Sequence, residues 1–482
     1  MKTLYDVLII GGGVVGSAIA RELSAYKLHI GVLEKNFDVC NETSGRNSGV
    51  VHGGFAYDTG TLKAKLCVQG NRLMDELSDE LGFTFNRCGK VLVGNTEQER
   101  QSLEHTIQQG KKNGATELSL ISEEELHHLV PKAVGKFALL SKNSGIVDPF
   151  NLTIALAENA AQNGVSYFFD TEATGISRQD SLWQVQTSKG VYTTKWIINA
   201  AGLNCGVISD LLGITGYKII GSKGDYIILD KKTGSLLPMP VYPVPSNTYM
   251  GIHVTNTTDG NVIIGPNADT VIDFAYYGVL QKNLEYLTES ASKIWPCIQR
   301  SDCIRNYSGI LPKLVDADGA IQDFKIEIQD TIAPCAVNLV GIESPGLTAA
   351  VPIARMVRDM MQERIKLEPN LHYNPRRKTF PRFAALDDMQ KAALISQNPD
   401  YGELICRCEK VSKAELINAI RNPLGVHTIT GIKYRTRAMM GRCQGGYCQM
   451  RLTQLIEQET GCIPEDITYE RKDSHPFTGT MR

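Results

Sequence analysis

The chain is 482 residues long, 42% hydrophobic and 21% charged, with a formal net charge of −2. That length suits roughly two to four folding units of ordinary globular composition, each able to bury a core. The near-neutral balance excludes a broad basic field for nucleic acid or an anionic membrane, and no apolar run reaches the roughly 18 residues of a spanning helix.

"DVLIIGGGVVGSAIARELSAYKLHIGVLEK" carries the parts of a βαβ dinucleotide unit. Val7 to Ile10 form a continuous apolar run, as a strand buried on both faces of a parallel sheet requires. Gly11, Gly13 and Gly16 fit G-x-G-x-x-G. The first serves a tight turn, the second lets a pyrophosphate approach the backbone, and the third permits close helix–strand packing. Val14 to Leu23 predict a helix whose positive N-terminal end faces the phosphates. Glu34 closes the second strand about where an acid accepts ribose hydroxyls, which disfavours a 2′-phosphate and leaves NAD and FAD open. Structure begins by the fifth residue, so no export signal is expected and the expected compartment is cytoplasmic.

A polar, glycine-rich stretch follows, "CNETSGRNSGVVHGGFAYDTG", with Ser44, Arg46, Asn47, Ser48 and His52. "DPFNLTIALAENAAQNGVSYFFD" predicts a helix from Leu152 to Asn163 and a strand from Val165 to Phe169. "WIINAAGLN" ends in Ala201 and Gly202, and alternation marks strands in "GDYIILDKK", "NVIIGPN" and "FKIEIQD". Residues 366–399 hold prolines, basic residues and little periodicity, and predict a surface connector. Near the C-terminus stand Cys406-x-Cys408 and, after a gap of 34 residues, Cys443-x4-Cys448. Four thiolates suit tetrahedral zinc or an iron–sulfur cluster, although a one-residue gap is poor for a zinc ribbon. Gly441, Gly445 and Gly446 would let backbone N–H groups approach sulfur, and Arg407, Lys410 and Arg442 would offset thiolate charge. The other eight of the twelve cysteines are scattered and read as reduced, mostly buried residues.

The glycine-rich loop, "WIINAAGLN", "GIHVTNTTDGNVIIGPNA" and "LVGIESPGLTAAVPIA" together resemble the D-amino-acid oxidase/glycerol-3-phosphate dehydrogenase superfamily, from about residue 5 to 365. Nearest in pattern are the anaerobic glycerol-3-phosphate dehydrogenase large subunit and the L-2-hydroxyglutarate oxidases. The resemblance implies FAD as cofactor, held also by Gly341, Gly346, Leu347 and Thr348 at the closing loop and helix. It implies an α/β fold with three parts. They are a Rossmann-like FAD domain from 1–85, 145–205 and 330–366, an inserted β-rich substrate domain from 86–144 and 206–329, and, after a connector at 367–399, a small Cys-cluster domain at 400–482. The cysteine spacing resembles the bacterioferritin-associated-ferredoxin-like domain and implies a [2Fe–2S] cluster on Cys406, Cys408, Cys443 and Cys448.

Oxidising an alcohol or amine on a flavin needs a base for the departing proton and cations for any anionic end of the substrate. Histidine suits proton exchange near neutrality. His253, on a substrate-domain strand, is the expected base, and His52, on the loop beside the flavin, is the expected alternative or flavin partner. Lys223 sits where relatives place a basic residue near the flavin face. Many relatives read G-[IL]-R-P where this chain has Gly309-Ile310-Leu311-Pro312, and leucine cannot clamp an anion. Arg305 and Lys313, which flank that stretch, are the candidates to replace the arginine.

The resulting expectation is a dehydrogenase for a small anionic secondary alcohol, glycerol 3-phosphate first. L-2-hydroxyglutarate or another 2-hydroxy acid comes next, then an amino acid. Its electrons would pass through the cluster to a partner flavoprotein or membrane subunit in a hetero-oligomer, peripheral to the inner face of the membrane through that partner. The competing expectation is an electron-transfer subunit whose flavin turns over no small substrate.

Overall fold

The structure, a computed structural model, describes residues 4–245 and 250–479. At its centre the strand Leu4–Ile10 lies between two parallel neighbours, Ile30–Leu33 and Gly190–Asn199. Ser166–Phe168 extends one side, and Ala336–Val340 pairs with the far half of Gly190–Asn199, in a sheet of eight strands. Successive side chains of a strand point to opposite faces. Val7 and Ile9 accordingly join one core with Ala18, Leu156 and Ile353, under the helices Val14–Ser24, Pro149–Gln162 and Gly346–Gln362. Leu8 and Ile10 join another with Trp183 and Ile208. The all-apolar run is thereby explained, because both faces are covered.

The second helix of the sequence reading begins three residues earlier than expected, as Pro149–Gln162. Asp148 caps it by accepting from the backbone N–H of Phe150 and Asn151, and Pro149 takes the first helical position, where a missing N–H does no harm.

A second sheet has nine strands. Lys90–Gly94, Leu118–Ser122 and Phe137–Ser141 join it to strands lying between 218 and 315. Lys218–Leu229 and Cys303–Val315 pair antiparallel along most of their length, and Val241–Pro243 lies between Lys90–Gly94 and His253–Asn256. The connector is less featureless than its composition suggests. It contains the helix Asp388–Gln397, which no buried residue anchors and which starts at a capping box of Asp387 and Gln390. That D-x-x-Q pattern was legible, and it outweighs the weak periodicity.

The last unit packs a short hairpin, Leu404–Cys406 with Val411–Ser412, against the helices Lys413–Ile420, Ile429–Thr436 and Gln449–Thr460. Its core of Ile405, Leu416, Ile432 and Leu452 includes Cys406 and Cys448. Arg435 ties it to the dinucleotide unit, donating to both carboxylate oxygens of Asp38 at 2.6 and 3.1 Å and to Glu158 at 3.1 Å. Among the described residues no helix is long and apolar enough to cross a membrane.

Candidate active site and cysteine cluster

The loops at the carboxyl ends of the parallel strands open into a cavity of about 610 Å³ that runs from the glycine motif to the second sheet. Such an end of an α/β sheet is where ligands bind. Gly11 adopts φ +111°, and a Cβ there would sit 2.4 Å from the Ala200 carbonyl oxygen. A Cβ at Gly16 would sit 2.0 Å from the Gly11 carbonyl oxygen, so this glycine sets the helix-to-strand distance and stays off the cavity wall. Glu34 accepts from the backbone N–H of Gly12 and of Asn36, both at 2.8 Å. Burial pushes its carboxyl up, and it stands at the wall.

Ser44 accepts from the N–H of Val14 at 2.9 Å, which seats the glycine-rich loop on the first turn of the helix. Gly13, Ser44, Arg46, Asn47 and Ser48 line the cavity. So do Ala201, Gly202, Gly346 and Leu347. A glycine turn at a helix N-terminus, a carboxylate at the end of the second strand and small polar residues on the facing loop fit a flavin dinucleotide. Gly341 and Thr348 do not line it. Gly341 lets the closing strand pass Leu314, where a Cβ would come within 2.6 Å, and Thr348 accepts from the His52 backbone N–H at 3.1 Å. Arg46 is at the wall, yet its guanidinium lies 4.3 Å over the Tyr277 ring and reaches Glu470 of the last unit at 3.3 Å.

At the far end the cavity meets both expected histidines. His253 lies on the strand next to Tyr242 and stacks on that ring at 4.0 Å, while its Nδ1 hydrogen-bonds Thr255 Oγ1 at 2.8 Å. Among the described residues the other ring nitrogen makes no hydrogen bond. His52 is held through its backbone: its N–H by Thr348, its carbonyl by Asn71 at 3.0 Å. Its Nε2 is 3.5 Å from Ser344 Oγ, which Tyr57 also meets, at 3.3 Å. Burial and then the Lys90 ammonium hold His52 down, to about 3. Burial, Lys90 and His52 likewise hold His253 well below the usual imidazole range. Both shifts favour the neutral imidazole at physiological pH.

Lys313 lines the same cavity two residues beyond Leu311, hence on the same face of its strand. It pairs with Glu343 at 2.6 Å, and Lys63 pairs with the other carboxylate oxygen at 2.7 Å. The trio carries one net positive charge at the wall. Lys63 and Glu343 were missed in the sequence, where one sits on a surface-like helix and the other in a loop read only for its glycines.

Two of the residues expected to meet the substrate or the flavin face are also elsewhere. Ser222 and Gly224 face the cavity, so Lys223 between them points to the other face, where it is 3% exposed, pairs with Asp225 at 3.1 Å and donates to the Gly278 carbonyl. The period of two decides this: an inward neighbour on each side forces the lysine outward. Arg305 lies further back on the strand Cys303–Val315 and donates to Gln444 of the last unit at 3.1 Å, away from the cavity.

The four expected thiols converge in pairs. Cys408 and Cys443 lie with their Sγ atoms 3.5 Å apart at the surface, and Cys406 and Cys448 meet beneath them, each 1% exposed. Backbone N–H groups of Glu409, Met439, Gly445 and Tyr447 point at these sulfurs. A Cβ at Gly441 would lie 2.3 Å from the Cβ of Cys408, and Gly445 takes φ +94°, so both glycines are sterically required. Among the described residues no three His, Cys, Asp or Glu side chains converge on a single ion. Two thiol pairs with amide donors suit two irons sharing sulfides better than one zinc.

The family model "FAD dependent oxidoreductase" matches residues 6–360, and the model "BFD-like [2Fe-2S] binding domain" matches residues 404–458. The chain is 36% identical over 482 residues to a glycerol 3-phosphate dehydrogenase of Caloramator mitchellensis, covering 99% of each chain. It is 30% identical over 415 residues to the human mitochondrial L-2-hydroxyglutarate dehydrogenase, covering 75% of this chain and 90% of that one. Among solved structures, dithionite-reduced L-alpha-glycerophosphate oxidase from Mycoplasma pneumoniae with FAD bound matches with a TM-score of 0.74 and 30% identity, covering 79% of this chain and all of that one. The cofactors are FAD and a [2Fe–2S] cluster.

Proposed function

The chain belongs to the FAD-dependent oxidoreductase family, and from that premise we propose that it oxidises glycerol 3-phosphate to dihydroxyacetone phosphate and sends the electrons out through its cluster. The observation that carries the choice of substrate is the Lys63–Glu343–Lys313 trio, whose single surplus charge lines the same cavity as the histidines. A phosphate end would dock there, beside the apolar Leu311, with the secondary hydroxyl turned toward His253. Similarity along 99% of the chain to a glycerol 3-phosphate dehydrogenase supports the same reading.

Bound FAD supplies the acceptor for the hydride from the carbinol carbon. The residues of the chain do the rest. His253 takes the hydroxyl proton on the ring nitrogen not bonded to Thr255, and Thr255 with Tyr242 fixes the ring plane. His52, braced on Thr348, is the neutral partner in the same cavity. Tyr57, Tyr242 and Leu347 line the site with apolar surface. Cys408 and Cys443 stand at the surface, which suits electron exit to a partner flavoprotein or membrane subunit.

Anaerobic addition of candidate substrates one at a time, with the oxidised flavin band as readout, tests the reading. Glycerol 3-phosphate should bleach the band and L-2-hydroxyglutarate should not. Bleaching by the 2-hydroxy acid alone would transfer the assignment to that substrate, which the human relative's name favours. Bleaching by no candidate would point to an electron-transfer subunit instead.

A further inference from the structure

Lys90 opens the strand Lys90–Gly94 and is 1% exposed. No carboxylate pairs with its ammonium among the described residues. It rests instead on two ring faces, 4.8 Å from the Phe55 centroid and 4.5 Å from that of Tyr242. Buried, unpaired charge is expensive, and apolar replacement of buried ions is often neutral or stabilising. A fold that keeps such a charge behind its active-site wall uses it there.

The register shows for what. Tyr242 lies opposite Leu92 on one side, and its strand pairs Val241 with Val254 on the other. Lys90 therefore approaches the Tyr242 ring from one side and His253 from the other, the latter stacked at 4.0 Å and 11°. The groups facing Lys90 are Cys67 from the helix Leu62–Leu81, His52 from the glycine-rich loop, Tyr242, and His253 from its strand. None offsets its charge: burial pushes the Cys67 thiol and the Tyr242 phenol up, so both are neutral, and both imidazoles are neutral as well.

We infer that Lys90 is a positioning residue for proton removal, acting through the Tyr242 ring to keep His253 unprotonated and its ring plane fixed while never touching substrate. This rests on the reading of His253 as the base. The proton balance is simple: His253 enters the reaction neutral, gains the hydroxyl proton against the repulsion of Lys90, and the same repulsion then favours its release, so that the base is free again for the next turnover. Burial holds Lys90 itself down to about 8, so the device is charged at neutral pH and weakens in alkali.

The test uses flavin-loaded full-length protein. Flavin reduction is followed by rapid mixing at saturating substrate from pH 4 to 9, for wild type, Lys90→Met, Lys90→Gln and Lys90→Arg. The acid limb of the rate should move up by about one pH unit in both neutral variants and return in Lys90→Arg, as loss of a nearby like charge requires. Lys90→Met should melt no lower than wild type. Either neutral variant suffices should the other fail to load flavin. If glycerol 3-phosphate reduces no flavin in wild type, the substrate reading has failed, and the same shift is then read without substrate, from the pH titration of the resting flavin band. An acid limb that stays in place, or a loss of rate equal at every pH in all three variants, overturns the inference.

Discussion

Replacing Lys313 with methionine tests whether the proposed trio recognises an anion apart from the chemistry. In the native site Glu343 is shared, at 2.6 Å from Lys313 and 2.7 Å from Lys63, so two ammonium groups face one carboxylate. Lys313→Met leaves the Lys63–Glu343 pair intact and electrically neutral. The site then falls from one net positive charge to none, with its carboxylate still paired. A unit charge about 4 Å from an anionic oxygen attracts it by about 4 kcal/mol at an effective dielectric constant near 20. Desolvation and solvent screening of the partly exposed lysine reduce the net loss to about 2 kcal/mol, in the range of a charge-assisted hydrogen bond. That is roughly a 30-fold rise in KM for glycerol 3-phosphate. Because the phosphate end is remote from the reacting carbon, kcat should change little. Steady-state kinetics with an artificial acceptor measure both constants, and glycerol, which lacks the phosphate, should be oxidised equally poorly by both proteins. A KM rise below about 3-fold, or a fall in kcat with KM unchanged, would refute an anion subsite at this trio.

Other outcomes follow from the same geometry. His253→Asn should slow flavin reduction at saturating substrate by about 10²- to 10⁴-fold while binding changes little, and an unchanged rate would remove His253 from the chemistry. Both histidines are held below their ordinary value, so they stay unprotonated to lower pH than a free imidazole; the acid fall in the reduction rate should lie clearly below the ~6.5 at which an unperturbed base would lose half its rate. Arg435→Met strips a buried cation from Asp38 and Glu158 and should cost about 3–5 kcal/mol, read as a lower melting temperature together with weaker cluster retention. Cys408→Ser should abolish the cluster's visible and EPR signals while leaving flavin content intact, since its neighbours in the site belong to the last unit alone.

The glycine motif, the closing acid and the cysteine spacing were legible because each is local: a few consecutive residues hold the whole requirement. His52 and His253 could be singled out because histidine is scarce and both lie in glycine-bounded turns or strands, and both line the cavity. Lys223 misled because a lysine beside "GDYIIL" invites a role, while its facing depends on the partner strand's register. The trio of Lys63, Lys313 and Glu343 comes from a helix, a strand and a loop that no sequence interval links. Lys90 shows the same limit more sharply. A lysine at the start of "KVLVG" reads as a solvated strand end, and only the packing of Phe55 and Tyr242 over it turns it inward.

The central claim is that one chain takes a hydride from glycerol 3-phosphate and splits it toward a one-electron exit. Anaerobic titration of the holoprotein with that substrate, in the absence of any acceptor, tests it by counting electrons while flavin absorbance and the cluster's EPR signal are followed together. FAD stores two electrons and the cluster one, so both signals should reach completion at about 1.5 equivalents, with the cluster filling only as flavin is reduced. Flavin that bleaches at about one equivalent with a cluster that stays oxidised through every later addition would contradict the account.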